Sequence, residues 1–470
     1  MLEQEISNLL AYAQTNLLLD ELDCRQAARR VCDLLKIEDF ALVEPTEEVD
    51  VASNPNALLA PLVSYALEQK VIDASGVQKL KADIMDAVML KPSEINDLFG
   101  STYSVNKQKA FDFLYDYSVK SGYVDLDECA KNDRWEAKEL KSRIEIIINV
   151  IPQAQAGKYP KCALCRENEG LGARANMRTV ACDIGGEEWF FEYSRHQYFE
   201  KHGVLVNGEH TPVTDGKEAL KKLALAADFI GSDGFACMDS SAENGGAHNT
   251  AHEHFKTGFK STPMFRRDVK AKLKSTEYPF LDMGIVDWYS TVIRFAHSNL
   301  EKTVEFADKL INAWKAYSDD RIANDGTKNF ASATCRKIAG KYTFDIVLRS
   351  NALKRPRMAA DYEEIKADAL SVTDILGYFV LPTKLSEELK NAQLYLDGTL
   401  QFEAGNKKIP LAKTVERLLK AQGGTVSSLE AKLNIHDEID SVCEKILAST
   451  AVFDDGTGDK FLEQMGITER

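Results

Sequence analysis

AHEHFKTG, residues 251–258, sets two histidines and a lysine two residues apart in a β-prone run. In a β-strand side-chain direction repeats every two residues, so this spacing predicts His252, His254 and Lys256 on one face. Upstream, YPKCALC (159–165) offers Cys162 and Cys165 across a short turn, and VNGEHTP (206–212) offers His210. Two thiolates from one turn joined by distant imidazoles fit a tetrahedral Zn²⁺ site. One imidazole is left over, and on such a strand His252 could hold the metal while His254 faces a substrate beside it. A neutral imidazole anchored in this way is the layout expected of a histidine nucleophile.

Each feature also has an ordinary explanation. A CxxC pair in a reducing compartment also occurs by chance or as a redox couple, and a strand histidine is commonly a hydrogen-bonded core residue. The distribution argues against packing alone, because six of the eight histidines fall between residues 196 and 254. Nine cysteines at scattered spacings fit a reducing compartment better than a disulfide framework. With 470 residues, 44% of them hydrophobic, the chain is long enough for more than one domain. Its net charge of -15 argues against a nucleic-acid groove, which needs concentrated Lys and Arg. The start, MLEQEISNLLAYAQTNLLLD, is acidic where a signal peptide is basic, and no apolar run approaches the roughly 20 residues of a membrane span. A cytoplasmic protein without a membrane partner is expected.

Periodicity predicts an α+β fold. Ile6, Leu9, Leu10, Ala13 and Leu17 recur at helical spacing, and a second helical stretch covers roughly 55–92, with Pro92 expected to end it. From about 141 the pattern changes to short strands, RIEIIINV, TVACDIG, EWFFEYS and GVLVN. DGKEALKKLALAADFI (215–230) and LEKTVEFADKLINAWKAYS are predicted helices, KYTFDIVLRS a strand, and the tail beyond 385 is again mostly helical. The expected organisation is a helical region over 1–140, a catalytic half over 141–265, a second α+β half over 266–400 and a helical tail over 401–470.

Ordered blocks carry a family resemblance: LKPSEINDLF (90–99), AKNDRWEAK followed by IEIIINV, and YPKCALCRENEGLGARANMR (159–178). They continue with GEEWFFEYSRHQYFEKHGVLVNGEHTPV (186–213), GGAHNTAHEHF (245–255), MGIVDWYSTVIRF (283–295), FDIVLRSN (344–351) and LPTKLSEEL (381–389). In order and spacing these resemble the class II galactose-1-phosphate uridylyltransferases, relatives of the histidine-triad nucleotide-binding proteins. The resemblance implies a mixed or antiparallel sheet body in two histidine-triad-like halves. It also implies uridylyl transfer between UDP-glucose and galactose 1-phosphate, and a possible homodimer. It assigns the nucleophile to His254 and a neighbouring structural ligand to His252, beside Cys162, Cys165 and His210 as the remaining zinc ligands. Arg174, Asn176 and Arg178 in ARANMR are candidate nucleotide or phosphate contacts, whose ordinary reading is solvated loop polarity. Gly245 and Gly246 are positions where backbone N–H groups can approach phosphates.

The chain departs from the family pattern in two places. Lys256 stands where the family has Gln, bringing a full charge to the nucleophile's strand as a candidate substrate contact. The family's histidine-rich segment after FDIVLRSN is replaced by ALKRPRMAADYEEIKADALSVTDILG (352–377), which has no histidine. The readings in competition are a working uridylyltransferase, a related histidine-based nucleotidyltransferase or nucleotide hydrolase, and a non-catalytic zinc-stapled descendant.

Overall fold

In a computed structural model the described residues are 2–46, 55–137, 143–149, 161–240, 249–322, 324–351, 364–366, 369–406, 408–453 and 457–470. Along the chain come helices α1 (Leu2–Asn16), α2 (Cys24–Leu35), α3 (Asn56–Glu68), α4 (Val77–Ala87), α5 (Pro92–Val105), α6 (Lys107–Lys120) and α7 (Leu126–Cys129). Strands β1 (Asp133–Glu136), β2 (Glu145–Ile148), β3 (Val180–Ile184), β4 (Glu187–Tyr193) and β5 (Gly203–Asn207) follow. Helix α8 (Lys217–Ile230) leads to β6 (Phe235–Met238), β7 (His254–Gly258), β8 (Val269–Ser275), β9 (Asp282–Val286) and β10 (Val292–His297). Then come α9 (Leu300–Ala316), β11 (Asn329–Ile338), β12 (Lys341–Ser350), α10 (Val372–Ile375) and β13 (Tyr378–Leu381). Helices α11 (Lys384–Leu396), α12 (Ala412–Gln422), α13 (Ser428–Ala448) and α14 (Asp459–Gln464) precede β14 (Ile467–Glu469). The fold is α+β, and no described helix is long and apolar enough to cross a membrane.

The chain divides into two compact units, one formed by residues 1–129, 153–197 and 201–211, the other by 130–152, 198–200 and 212–470. In the first, amphipathic helices surround a three-stranded antiparallel meander, β3-β4-β5. Helix α2 buries Ala27, Ala28, Val31, Cys32 and Leu35 on one stripe, then stops at Lys36, whose φ of 59° leaves the helical region. Pro92 does not end a helix as its sequence suggested: it opens α5. The first helical position needs no N–H from proline and suits its fixed φ. The preceding Lys91 donates its amide to Glu94 Oε2 at 2.8 Å, closing the turn. Asn106 then accepts the Lys109 amide at 3.0 Å to start α6. Gly185 (φ 71°) and Gly186 (φ 86°) make the tight β3–β4 hairpin, since a two-residue loop of this twist needs both φ values positive. Phe111 of α6 meets Phe191 of β4 edge to face at 5.1 Å, and Tyr193 donates its hydroxyl to the Phe111 carbonyl at 2.9 Å.

In the second unit the strands run in the order β14-β8-β9-β10-β12-β11-β6-β7, every neighbouring pair antiparallel. Helices α8 and α9 lie across this sheet and bury Leu220, Leu223, Ala227, Phe306, Leu310 and Trp314. Trp314 donates its indole N–H to the carbonyls of Phe330 and Arg349, at 3.1 and 2.9 Å, so α9 is pinned to both β11 and β12. A small sheet of β1-β2-β13 pairs β1 with β2 antiparallel and β13 with β2 parallel. Its Ile146, Ile148, Phe379 and Leu381 join Phe199, Phe235, Val347 and residues of α13 in one apolar cluster.

Strand β7 is held at its far end by close packing. A methyl on Gly258 would stand 2.4 Å from the Phe199 ring and 2.8 Å from the Phe235 ring. Gly258→Ala is therefore expected to lower the stability of the protein by about 1–3 kcal/mol, the usual cost of overfilling a packed core. The urea midpoint of the purified variant measures it, and an unchanged midpoint would show that the rings move aside freely.

Candidate active site and metal centre

Three of the expected metal ligands meet within the first unit. Cys162 and Cys165 are brought together by a turn in which the Cys165 amide donates to the Cys162 carbonyl at 3.3 Å. Asn168 reinforces that turn, its side-chain amide donating to the same carbonyl at 2.6 Å. The two sulfurs are 3.4 Å apart, and His210 Nδ1 lies 3.7 Å from Cys162 Sγ and 3.1 Å from Cys165 Sγ. Tetrahedral bonds of roughly 2.0–2.3 Å place neighbouring ligand atoms about 3.3–3.8 Å apart; two of these separations fall in that range and the third, at 3.1 Å, is slightly shorter, so the donor set suits a zinc ion after a small adjustment. Burial and the Cys162 side chain push the Cys165 thiol above its ordinary range. A bound cation would reverse that, because coordination displaces the thiol proton.

The loop after the turn accounts for the three residues expected at a nucleotide. Arg174 donates to the Ala163 carbonyl at 2.7 Å, inside the CALC turn. Asn176 is buried and donates to the Ser121 carbonyl at 2.9 Å. Arg178, only 5% exposed, gives its guanidinium to the Leu90, Ala175 and Met177 carbonyls and to Asp86 at 2.7 Å. These contacts tie the loop to the helices of its own unit, a framework use that polarity alone did not reveal. Gly170 (φ 79°) and Gly172 (φ 60°) shape the same loop. Gly245 and Gly246 lie outside the described residues.

The second unit holds the histidine pair. The strand begins at His254, with His252 buried just before it, so the shared face comprises His254 and Lys256. His254 Nδ1 is 2.8 Å from the His252 carbonyl oxygen. A carbonyl only accepts, so Nδ1 carries the hydrogen and Nε2 keeps its lone pair. Burial holds the His254 pKa below its ordinary value, and the Lys256 charge pushes the same way, opposed by the His252 hydrogen bond and by Asp239. The imidazole is thereby kept neutral and nucleophilic around neutral pH. Glu253, just before the strand, pairs with Lys222 of α8 at 3.0 Å, which fixes the approach to it.

Sequence reasoning missed Asp239, the residue after β6. Cys237 lies opposite Lys256 in the β6–β7 register. Two residues further on, Asp239 Oδ2 accepts from Lys256 Nζ at 2.8 Å. Burial presses the Lys256 pKa down, yet Asp239 outweighs it and holds the ammonium above its usual range. On the same sheet Arg349, buried, donates to Ser332 Oγ at 3.3 Å and to the Leu370 carbonyl at 2.9 Å. Asp345, fully buried, accepts from both Arg294 and Arg336. An acidic residue directly after the apolar strand FACM was the available signal for Asp239.

Two measurements follow from this geometry. Cys162→Ser or Cys165→Ser is expected to lower zinc content, read by elemental mass spectrometry, together with the thermal midpoint, because loss of one ligand opens a closed site. In a histidine NMR titration, His254 is expected to protonate only below the ordinary range near 6.5, neutral above its lowered pKa and cationic beneath it. A titration at or above that range would contradict the burial seen here.

No family model matches the chain. Curated relatives do. The chain is 30% identical over 350 residues to galactose-1-phosphate uridylyltransferase 1 of Streptococcus pneumoniae serotype 4, covering 68% of this chain and 71% of the relative. It is 27% identical over 497 residues to the galactose-1-phosphate uridylyltransferase of Halalkalibacterium halodurans, covering 96% and 95%. Among solved structures, yeast Ap4A phosphorylase overlays with a TM-score of 0.33 at 11% identity, covering 56% of this chain and 81% of that one.

Proposed function

The chain belongs to the galactose-1-phosphate uridylyltransferase family, and we propose that it moves a uridylyl group between UDP-glucose and galactose 1-phosphate by way of His254. In the first step Nε2 of His254 attacks the α-phosphorus of UDP-glucose. The N–P bond forms as the bond to the departing glucose 1-phosphate breaks, leaving uridylyl-histidine. In the second step a phosphate oxygen of galactose 1-phosphate attacks the same phosphorus, the N–P bond breaks, UDP-galactose leaves and the imidazole returns neutral. Imidazole suits both directions because it is a fair nucleophile and a good leaving group near neutral pH. The 2.8 Å contact from His254 Nδ1 to the His252 carbonyl supports this role, since it fixes the tautomer that directs a lone pair outward from Nε2.

Zinc belongs to the same reading. Cys162, Cys165 and His210 supply three ligands with suitable spacing, and the family resemblance supplies His252 as the fourth. A structural ion held this way would brace the backbone next to the nucleophile and take no part in the bond changes. Substrate contacts by Arg174, Asn176, Arg178, Gly245, Gly246 or Lys256, a homodimer and a cytoplasmic setting also belong to the family reading. The geometry of Arg178 and Lys256 favours framework roles for both.

Incubation with UDP-glucose should add one uridylyl group to the protein, visible by intact mass and mapped to the peptide containing His254. His254→Ala is expected to lose the label and at least ~10⁴-fold of the turnover while keeping its zinc and thermal midpoint, as removal of a covalent nucleophile does. Turnover surviving in that variant would defeat the assignment. A label discharged equally fast by water and by galactose 1-phosphate would favour a nucleotide hydrolase.

A further inference from the structure

Asp239 joins two segments through opposite sides of one carboxylate. Its Oδ2 accepts from Lys256 Nζ at 2.8 Å, and its Oδ1 accepts the amide of Val372, the first residue of α10. The Asp239 side chain is 5% exposed and that of Lys256 21%. Lys256 shares the β7 face with His254, and its charge acts on the imidazole. The α10 turn is fixed from other directions as well. Ser371 exchanges hydrogen bonds with Asp374, Lys366 Nζ pairs with Asp374 at 3.1 Å, and Arg349 holds the Leu370 carbonyl. With Lys256 engaged by a buried carboxylate, the pair is net neutral and its donor points at Asp239.

We propose that Asp239 is a positioning residue for uridylyl transfer, clamping Lys256 so that the His254 strand is held against the 370–375 turn. The proposal rests on His254 being the nucleophile. Lys256 on this view is a strut rather than a phosphate ligand, and the two residues function as one unit. Removing Lys256 leaves the buried Asp239 carboxylate without its counterion, and removing Asp239 frees a half-buried ammonium beside the strand; either perturbs strand and turn together. Replacing both by amides restores a hydrogen bond with no charge to compensate. The effect belongs on the rate of the chemical step, because misplacing a reacting atom by about an ångström is costly to near-attack geometry while substrate affinity persists.

The test is a double-mutant cycle of Asp239→Asn, Lys256→Gln and the double variant. It is read by the single-turnover rate of His254 uridylylation with UDP-glucose and by steady-state kcat and KM. Each single change is expected to slow both rates by roughly 30-fold with KM for UDP-glucose within about 3-fold, and the double variant to recover to within about 5-fold of wild type. Losses that multiply in the double variant overturn the proposal. So does a Lys256→Gln effect confined to KM, which would place the ammonium on substrate. If Asp239→Asn does not fold, Lys256→Arg provides the decision. It keeps the charge on Asp239 and should retain kcat within about 5-fold, whereas a loss as deep as that of Lys256→Gln refutes the clamp. Wild-type protein that takes no label at His254 removes the nucleophile reading and the clamp with it. Normal labelling with an additive cycle removes the clamp alone.

Discussion

The contact from His254 Nδ1 to the carbonyl of His252, two residues back along the same chain, is the constraint on which the proposed chemistry depends. A histidine that is to form a bond to phosphorus and then release it must present one nitrogen free of hydrogen. It must also stay uncharged at working pH. The carbonyl satisfies the first requirement by claiming the hydrogen on the other nitrogen. Burial satisfies the second by opposing protonation. The first comes from the backbone and the second chiefly from packing, with the charges of Lys256 and Asp239 acting on the ring in opposite directions. The strand itself is secured at both ends, by the Glu253–Lys222 pair before it and by the tight fit of Gly258 against two phenylalanine rings after it.

Much of this was legible from the sequence because the signals were local. GVLVN and KYTFDIVLRS became strands over Gly203–Asn207 and Lys341–Ser350, since β-prone residues are bounded there by glycine or by a polar turn. The predicted helices at 215–230 and from 300 onward differ from the observed ones by two residues at one end. The thiol turn and His210 were found by residue type and spacing, and the structure draws them to within bonding distance of a common centre. Their chemistry is stated in the residues themselves.

What escaped the sequence depends on register and on competition between equivalent readings. Pro92 is compatible with ending one helix and with beginning another, and the hydrogen bond from the Lys91 amide to the Glu94 carboxylate decides for the second. Asp239 acquires its meaning only when β6 and β7 are aligned with Cys237 opposite Lys256, a pairing between residues far apart in sequence. Sequence alone does not separate the two uses of the ARANMR arginines, because arginine serves equally for phosphate and for clustered carbonyls. Arg178 satisfies carbonyls and a carboxylate. The replacement of a neutral family residue by Lys256 raised the question of an intrusive charge near the proposed nucleophile, and a carboxylate just past the end of the neighbouring strand answers it.

Arg178 has a wider implication for how the thiol-bearing region tolerates change. Its guanidinium spans Leu90 at the entrance to α5, Asp86 in α4, and the Ala175 and Met177 carbonyls of its own loop. Arg174 extends this bracing backward to Ala163, between the two cysteines. The loop thus carries a permanent organic rivet beside a site suited to an exchangeable inorganic one. The turn that presents the two thiols is therefore set by hydrogen bonds of its own, so a cation arriving there would meet a backbone already in place.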